Sequence, residues 1–356
     1  MSLQPQKVET FPAETARVAT AAFPKGNFCL KLRDELGTLY QDEQFVKLFS
    51  SEGQPALAPW RLALITVLQF VEDLSDRQAA EMGRSRIDWK CLLSLELTDS
   101  GFHYSVLSEF RGRLLEGQAE YLLLDQLLTQ IRERKLIKAK GLQCTDSTHV
   151  LAAVRLLNRL EMLGETLRAA LNSLAVAAPK WLVEQIPEEW FDVLGRLSAL
   201  EVLRQVWLQQ FWLEDYQLRL RSEDNKPPPG LQIHSPYDLE ARYATKRDLH
   251  WLGYKVHLTE SCDGDSPNLI TQVYTTAATV PDVKATSPIQ KSLVARELAP
   301  NQHIVDGGYI SADQLIKSQL AQGIELCGPL RVDASWQGQT SQGYAVTCFR
   351  LDWEEH

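Results

Sequence analysis

No run of apolar residues in this 356-residue chain approaches the roughly 20 needed to span a bilayer. The longest, Leu62 to Phe70, is interrupted by Thr66 and Gln69 and reads as a core helix. The first twenty residues lack the apolar stretch of a secretory signal. Cysteine is sparse: six residues (Cys29, Cys91, Cys144, Cys262, Cys327, Cys348), no two at C-x-x-C spacing. That excludes a cysteine-pair zinc site and leaves reduced thiols of a cytoplasmic protein as the expectation, without a disulfide frame. A basic excess is also missing, since the net charge is −9. Binding of nucleic acid through the whole surface is thereby disfavoured, although a local basic groove is not, because the field that matters is regional.

What is present is an ordinary hydrophobic share of 44%, enough for a real core. The length allows about two to three domains at the usual ~150 residues each. Residues 1–27 read as a flexible, polar, proline-containing arm, and 28–140 as a helical domain with a DNA-binding role. Within it, Trp60 to Phe70 is apolar all round and predicts a central helix. Ser75-Asp-Arg-Gln78 fits a capping box opening a short helix, Gly83 is placed to end it, and another helix starts at Ile87. That spacing suits a helix-turn-helix and suits any compact helical bundle equally. Ser105 to Ile131 is periodic in Leu and Phe and predicts two more helices.

From residue 141 the character changes. A first strand is predicted over 141–148, followed by a helical insert over 150–225. Leu156, Leu157, Leu160, Leu163 and Leu167 form its apolar stripe, and Trp181, Trp190, Trp207 and Trp212 are expected in its core. Lys226-Pro-Pro-Pro-Gly230 closes it as a stiff linker. Leu252 to Glu260 and Leu269 to Thr276 read as a strand pair. Ser287-Pro288-Ile289-Gln290 carries the signals of a helix start, and His303 to Val305 is a further strand. A helix capped by Ser311 and a strand over Ile324 to Cys327 follow. The fold class is α/β, a mixed sheet with helices packed on it, preceded by an all-α region.

Two aspartates stand out on this frame. Asp146 in Thr145-Asp-Ser-Thr148 and Asp306 in Val305-Asp-Gly-Gly-Tyr309 each follow a strand-like run and meet residues that stop a strand. Acids on adjacent strand ends can hold divalent cations through oxygen ligands, as phosphoryl-transfer sites require. Each also has a plainer use, Asp146 as an Asx turn and Asp306 as the Asp-Gly of a tight turn. Asp282, after Pro281, reads better as a helix start than as a ligand. His149, His257 and His303 lack ligand spacing and read as packed or hydrogen-bonded. Two basic segments qualify for phosphate contact or for a solvated face: Arg132 to Lys140, and Arg242 to His257 with Arg242, Lys246, Arg247 and Lys255.

The order of strands and acids resembles the RNase H-like catalytic core of DDE transposases. Thr145-Asp-Ser-Thr148, Trp251 to His257, Thr275-Thr-Ala-Ala278 and Val305-Asp-Gly-Gly-Tyr309 are similar to bacterial insertion-sequence transposases. Trp60-Arg-Leu-Ala-Leu64, Leu74 to Ala80 and Ser105 to Arg111 resemble the helical N-terminal domain of that group. The likeness runs from about Phe23 to the end, and makes 141–356 the expected core with the insert 150–225 inside it. It implies metal-dependent cleavage and strand transfer at element ends, with Asp146 and Asp306 as catalytic metal ligands for two Mg2+ ions, Mn2+ being an alternative. It implies double-stranded DNA as partner, a homodimer as an option, no membrane, and a nucleoid-associated cytoplasmic location. The family's third acid, a glutamate on a later helix, has no counterpart, since Glu325 lies on a strand and Glu354 and Glu355 in a tail. The expectation is a C-terminally shortened, incomplete core, with enzyme activity undecided. A non-catalytic DNA-binding remnant or repressor is the alternative, and a nuclease of the same fold or a structural helical protein comes third.

Overall fold

The computed structural model describes residues 1–5, 12–138, 140–153, 158–177, 198–214, 216–246 and 248–329, with Trp336, Tyr344 and Cys348 beyond them. Arg247, Leu156, Leu157, Trp181, Trp190, Glu354 and Glu355 lie outside the described residues. The chain divides into two units, Met1–Leu136 and Ile137–His356.

The first unit is helical: α1 (Ala13–Ala22), α2 (Phe28–Leu36), α3 (Pro59–Glu72), α4 (Asp76–Ser85), α5 (Ile87–Leu92), α6 (Ser105–Glu116) and α7 (Leu122–Glu133). Residues expected in a flexible arm thus include α1, whose Thr15 and Ala19 are fully buried. Thr15 donates to the Leu95 carbonyl across the unit, a tertiary contact that local composition does not encode. Helix α3 starts with Pro59 in its first turn, where a missing N–H costs nothing. It is not apolar all round in its setting. Leu62, Ala63, Ile65 and Leu68 are buried, while Phe70 is 85% exposed. The Ser75–Gln78 capping box forms as expected. Gly83 does not end α4 but sits inside it, packed so that a Cβ would lie 3.3 Å from the Phe102 ring. The core gathers Tyr40, Phe45, Leu68, Trp89, Leu92, Leu107 and Phe110 around α3.

The second unit is built on a curled mixed sheet. Its strands are β1 (Leu142–Leu151), β4 (Arg242–Lys246), β5 (Leu249–Ser261), β6 (Ile270–Ala277), β7 (Gln302–Val305) and β8 (Glu325–Cys327). The spatial order is β4-β5-β1-β7-β8, with β6 also pairing β5. Strand β1 is central, antiparallel to β5 and parallel to β7, which is parallel to β8. Helix α10 (Val283–Ala295) packs on β6 and α11 (Ala312–Gln322) on β8, and the two helices touch. Pro288, expected at a helix start, lies inside α10 instead. The chain turns helical at once after Pro281, and the proline removes a single N–H bond to the carbonyl one turn back.

Three expectations are corrected in this unit. The insert is not helical to Arg221. After α8 (Arg159–Ala177) and α9 (Ser198–Gln210), residues 211–220 form a hairpin of β2 (Phe211–Glu214) and β3 (Gln217–Leu220). The buried face of α8 is Met162, Thr166 and Ala170, while Leu160 and Leu167 are exposed; Trp207 is exposed too. The α8 core therefore runs one position off the leucine stripe, because Met162 packs against Val202 and Val206 of α9. Finally, Cys144 and Cys262 form a disulfide, with Cα atoms 6.3 Å apart. Antiparallel pairing of β1 with β5 brings together cysteines 118 residues apart, a proximity that spacing cannot reveal.

Gly253 lies where β5 is bonded to β1 on one edge and to β4 on the other. Its φ is +150°, and a Cβ there would collide with the Val150 carbonyl and sit 2.6 Å from the Ala152 nitrogen. Gly253→Ala should destabilise this unit by at least about 2 kcal/mol. Urea unfolding followed by tryptophan fluorescence measures it, and an unchanged midpoint refutes the close approach.

Candidate active site

Asp146 is in the middle of β1, not at its end, because β1 stays paired with β5 as far as Leu151. The register fixes its neighbour. Thr145 is paired with Val305, so Asp146 and Asp306 are the next residues along two adjacent parallel strands. Both are exposed. Asp146 Oδ1 accepts from the Ser147 N–H at 2.7 Å, and Asp306 Oδ1 from the Gly308 N–H at 2.8 Å. A turn closed by Tyr309 N–H on the Asp306 carbonyl (3.1 Å) follows β7. The side chain of Ser311 then caps α11 at the Gln314 N–H, as expected.

Beneath the two acids lies a buried polar layer. Tyr309, with no exposed surface, places its hydroxyl 2.6 Å from His257 Nδ1, and His257 Nε2 is 3.1 Å from Thr276 Oγ1. Burial raises the Tyr309 pKa; the Ser147 hydroxyl bonded to it pulls the other way, and the charges of Asp282, Asp146 and Asp306 raise it further. All three carboxylates therefore act electrostatically on one phenol. Burial lowers the His257 pKa, with Asp282 and Asp146 opposing and Lys255 assisting. A second chain runs under β1: Ser318 donates to Gln290 Oε1 (2.8 Å), and Gln290 Nε2 meets His303 Nδ1 (3.3 Å). His303 Nε2 meets Thr145 Oγ1 (2.6 Å), which meets Thr259 Oγ1 (2.7 Å). The amide donating to Nδ1 leaves the His303 proton on Nε2.

Asp282 stands at the start of α10, but its side chain makes no cap. Its Oδ1 instead accepts from Lys255 Nζ at 2.7 Å, with the two side chains only 15% and 13% exposed. A Cβ added to Gly308 would lie 2.9 Å from Asp306 Oδ1 and 3.3 Å from Asp282 Oδ2, so these two acids face a common small space. Hard oxygen donors of this kind suit magnesium, and the space beside Gly308 is open only because the residue lacks a side chain. Among the described residues no group of three or more His, Cys, Asp or Glu is arranged to hold a metal ion. Asp146 and Asp306 lie one residue beyond the last parallel pair of β1 and β7, while Asp282, which shares the space beside Gly308 with Asp306, is engaged by an ammonium.

The residues expected to touch DNA are scattered. Lys255 is committed to Asp282. Arg242 bonds the carbonyls of Gly230 (2.8 Å) and Ala241 (3.1 Å), and that of Leu239. Lys246 is exposed at the end of the β4–β5 hairpin, whose Arg247 is outside the described residues. In the other basic segment, Lys138 pairs with Asp265 and Arg134 bonds the Leu36 carbonyl. His257 and His303 are buried and hydrogen-bonded, and His149 lies against Trp251, ring centroids 4.0 Å apart. The sequence reading missed Tyr309, Ser147 and the Lys255–Asp282 pair. Tyr309 and Ser147 stand within the two aspartate motifs, yet nothing in a string shows that their hydroxyls meet.

Residues 17–113, all within the helical unit, match the family model of a transposase domain, Transposase domain (DUF772). The match supports a transposase and a transposition-related function for the chain; it does not extend to Asp146 or Asp306. No curated protein and no solved structure matches the chain. No helix among the described residues is long and apolar enough to cross a membrane.

Two outcomes follow from the buried groups. Lys255→Met strands the Asp282 charge and should cost about 3–5 kcal/mol by urea unfolding at pH 7. The double variant with Asp282→Asn should recover much of that loss, and equal losses in both would refute the pairing. Burial lowers the His303 pKa from 6.5 to about 4. Between those values the unfolded chain binds the proton first, so this contribution is complete above pH 6.5 and is lost as pH falls to about 4. The urea midpoint should drop over that window, and His303→Gln should flatten the drop.

Proposed function

We propose that this protein is a DNA transposase of the DDE type, with an RNase H-like core that cleaves phosphodiesters at element ends. The observation that carries the reading is the Thr145–Val305 register, which sets Asp146 and Asp306 side by side on adjacent parallel strands. Two further findings support it. With β4 set aside, β1, β5, β6, α10, β7, α11 and β8 follow one another along the chain in the strand and helix order on which the resemblance rests, and the helical unit carries the transposase-domain match.

Asp146 and Asp306 would hold Mg2+, or Mn2+ in its place. When bound, the ion supplies positive charge that stabilises the attacking and leaving oxygens of the phosphodiester. The chain's own part is placement. Pairing with Leu258 of β5 holds Asp146, and the Gly308 N–H and the buried Tyr309 hold the turn that carries Asp306. The net reaction is hydrolysis of one phosphodiester to a 3′-hydroxyl and a 5′-phosphate, followed by attack of that hydroxyl on a phosphodiester of a second DNA, which forms a new phosphodiester and releases the 3′-hydroxyl of the broken target strand. Lys246, exposed on its hairpin, is suited to a phosphate contact that positions DNA without reading sequence. Double-stranded DNA is the partner, and a homodimer is the assembly that would bring two ends together.

A second reading, a DNA-binding protein without cleavage, is favoured by one observation: no three-acid cluster is ready-made among the described residues. The full chain incubated with DNA carrying the element ends and Mg2+ separates the two. Nicking without joined products assigns a nuclease of the same fold, and nicking together with joined strand-transfer products, both abolished by Asp146→Asn and by Asp306→Asn, supports the transposase reading. Nicking that survives both substitutions refutes it. A salt-sensitive gel shift with no nicking assigns the second reading instead.

A further inference from the structure

We infer that Tyr309 is a positioning residue whose hydroxyl clamps the Asp306 turn against the Asp146 strand, and so sets the affinity of the site for a divalent cation. The inference deepens the proposed function and rests on its metal site.

The geometry singles out this hydroxyl. Tyr309 follows Asp306 by three residues and closes the turn through its own N–H on the Asp306 carbonyl. Its carbonyl accepts from Thr286 Oγ1 at 2.9 Å, tying the turn to α10. Its ring is fully buried, edge-on to His257 with centroids 5.5 Å apart. The hydroxyl bonds His257 Nδ1 on β5 at 2.6 Å. Ser147 adjoins Asp146, and β5 is the strand that pairs with β1 there, Ser147 opposite His257. Thr276 on β6 fixes the far side of the imidazole. One oxygen atom therefore joins the turn bearing Asp306 to β5, at the residue paired with the neighbour of Asp146 on β1.

Backbone pairing cannot replace this clamp. The β1–β7 ladder ends at Thr145–Val305, one residue short of both acids. Beyond it, the Tyr309 hydroxyl ties the Asp306 turn to His257 on β5, opposite Ser147 on β1. Two carboxylates next to each other repel, and without a tether the turn relaxes by moving Asp306 away. Groups that orient metal ligands without touching the metal typically change affinity about 10- to 100-fold when removed. Phenylalanine keeps the packing and deletes only the tether.

Mn2+ binding to the full chain, followed by calorimetry and by the paramagnetic resonance signal of the bound ion, tests the inference in the absence of DNA. Tyr309→Phe should weaken binding about 10- to 100-fold and broaden the signal. Leu293→Ala, in the buried core of α10, serves as the comparison: it should lower thermal stability and leave Mn2+ affinity as in the parent. If Tyr309→Phe lowers stability yet binds Mn2+ like the parent while Asp306→Asn is weakened, the hydroxyl is structural only. The inference then falls, and the metal-site reading stands. If Asp146→Asn and Asp306→Asn also bind like the parent, the metal site itself falls. Should Tyr309→Phe give no cooperative melt, His257→Phe removes the same link from the other side and is read by the same criteria.

Discussion

Everything in the second unit depends on β1 being paired along both edges, antiparallel to β5 and parallel to β7. A strand held on two sides cannot slip, because a shift of one residue would turn every side chain to the opposite face. The residues on either side of Asp146 show what a slip would cost. Thr145 is buried against His303 and Thr259, and Ser147 is paired with the buried His257 of β5. Exchanging them with Asp146 would bury a carboxylate in a layer already satisfied by neutral hydrogen bonds. The exposure of Asp146 is thus a consequence of how its neighbours are buried.

The same layer explains how a chain of net charge −9 can concentrate acids at one place. Asp282 is compensated by Lys255, whose ammonium is nearly buried with it. Asp146 and Asp306 are exposed and meet backbone N–H groups of Ser147 and Gly308, which stabilise charge without adding a cation. Beneath them, burial keeps His257 and His303 in their neutral forms at ordinary pH. The histidines of this polar layer are therefore uncharged, and Asp146 and Asp306 carry their charge at the exposed surface.

The helical unit divides its labour differently. Its core around Trp89, Phe45 and Phe110 is apolar, and the transposase-domain match falls wholly within it. Its ion pairs serve structure. Arg86 bridges Glu72 and Asp88, and Arg111 meets Asp76, the first residue of α4. Arginines that might have read as a nucleic-acid surface are in part tied into the fold. Counting basic residues along a segment therefore overstates the positive surface it presents.

Local signals in the sequence settled the elements whose causes are local. The Ser75 and Ser311 caps, the helix from Pro59, the two helices after Ser105 and the short strand before Asp306 all follow from residues within a turn of one another. The two aspartates were visible for the same reason, each in a short motif. Other features belonged to the tertiary structure alone. Local pattern could not place β4, the hairpin in the insert, the burial of α1, or the face that α8 turns inward, because partners distant in the chain decide them. The Cys144–Cys262 bond, the Lys255–Asp282 pair and the meeting of Tyr309 with His257 share that origin. A string records which groups exist; only the pairing of strands far apart in it brings those groups within bonding distance.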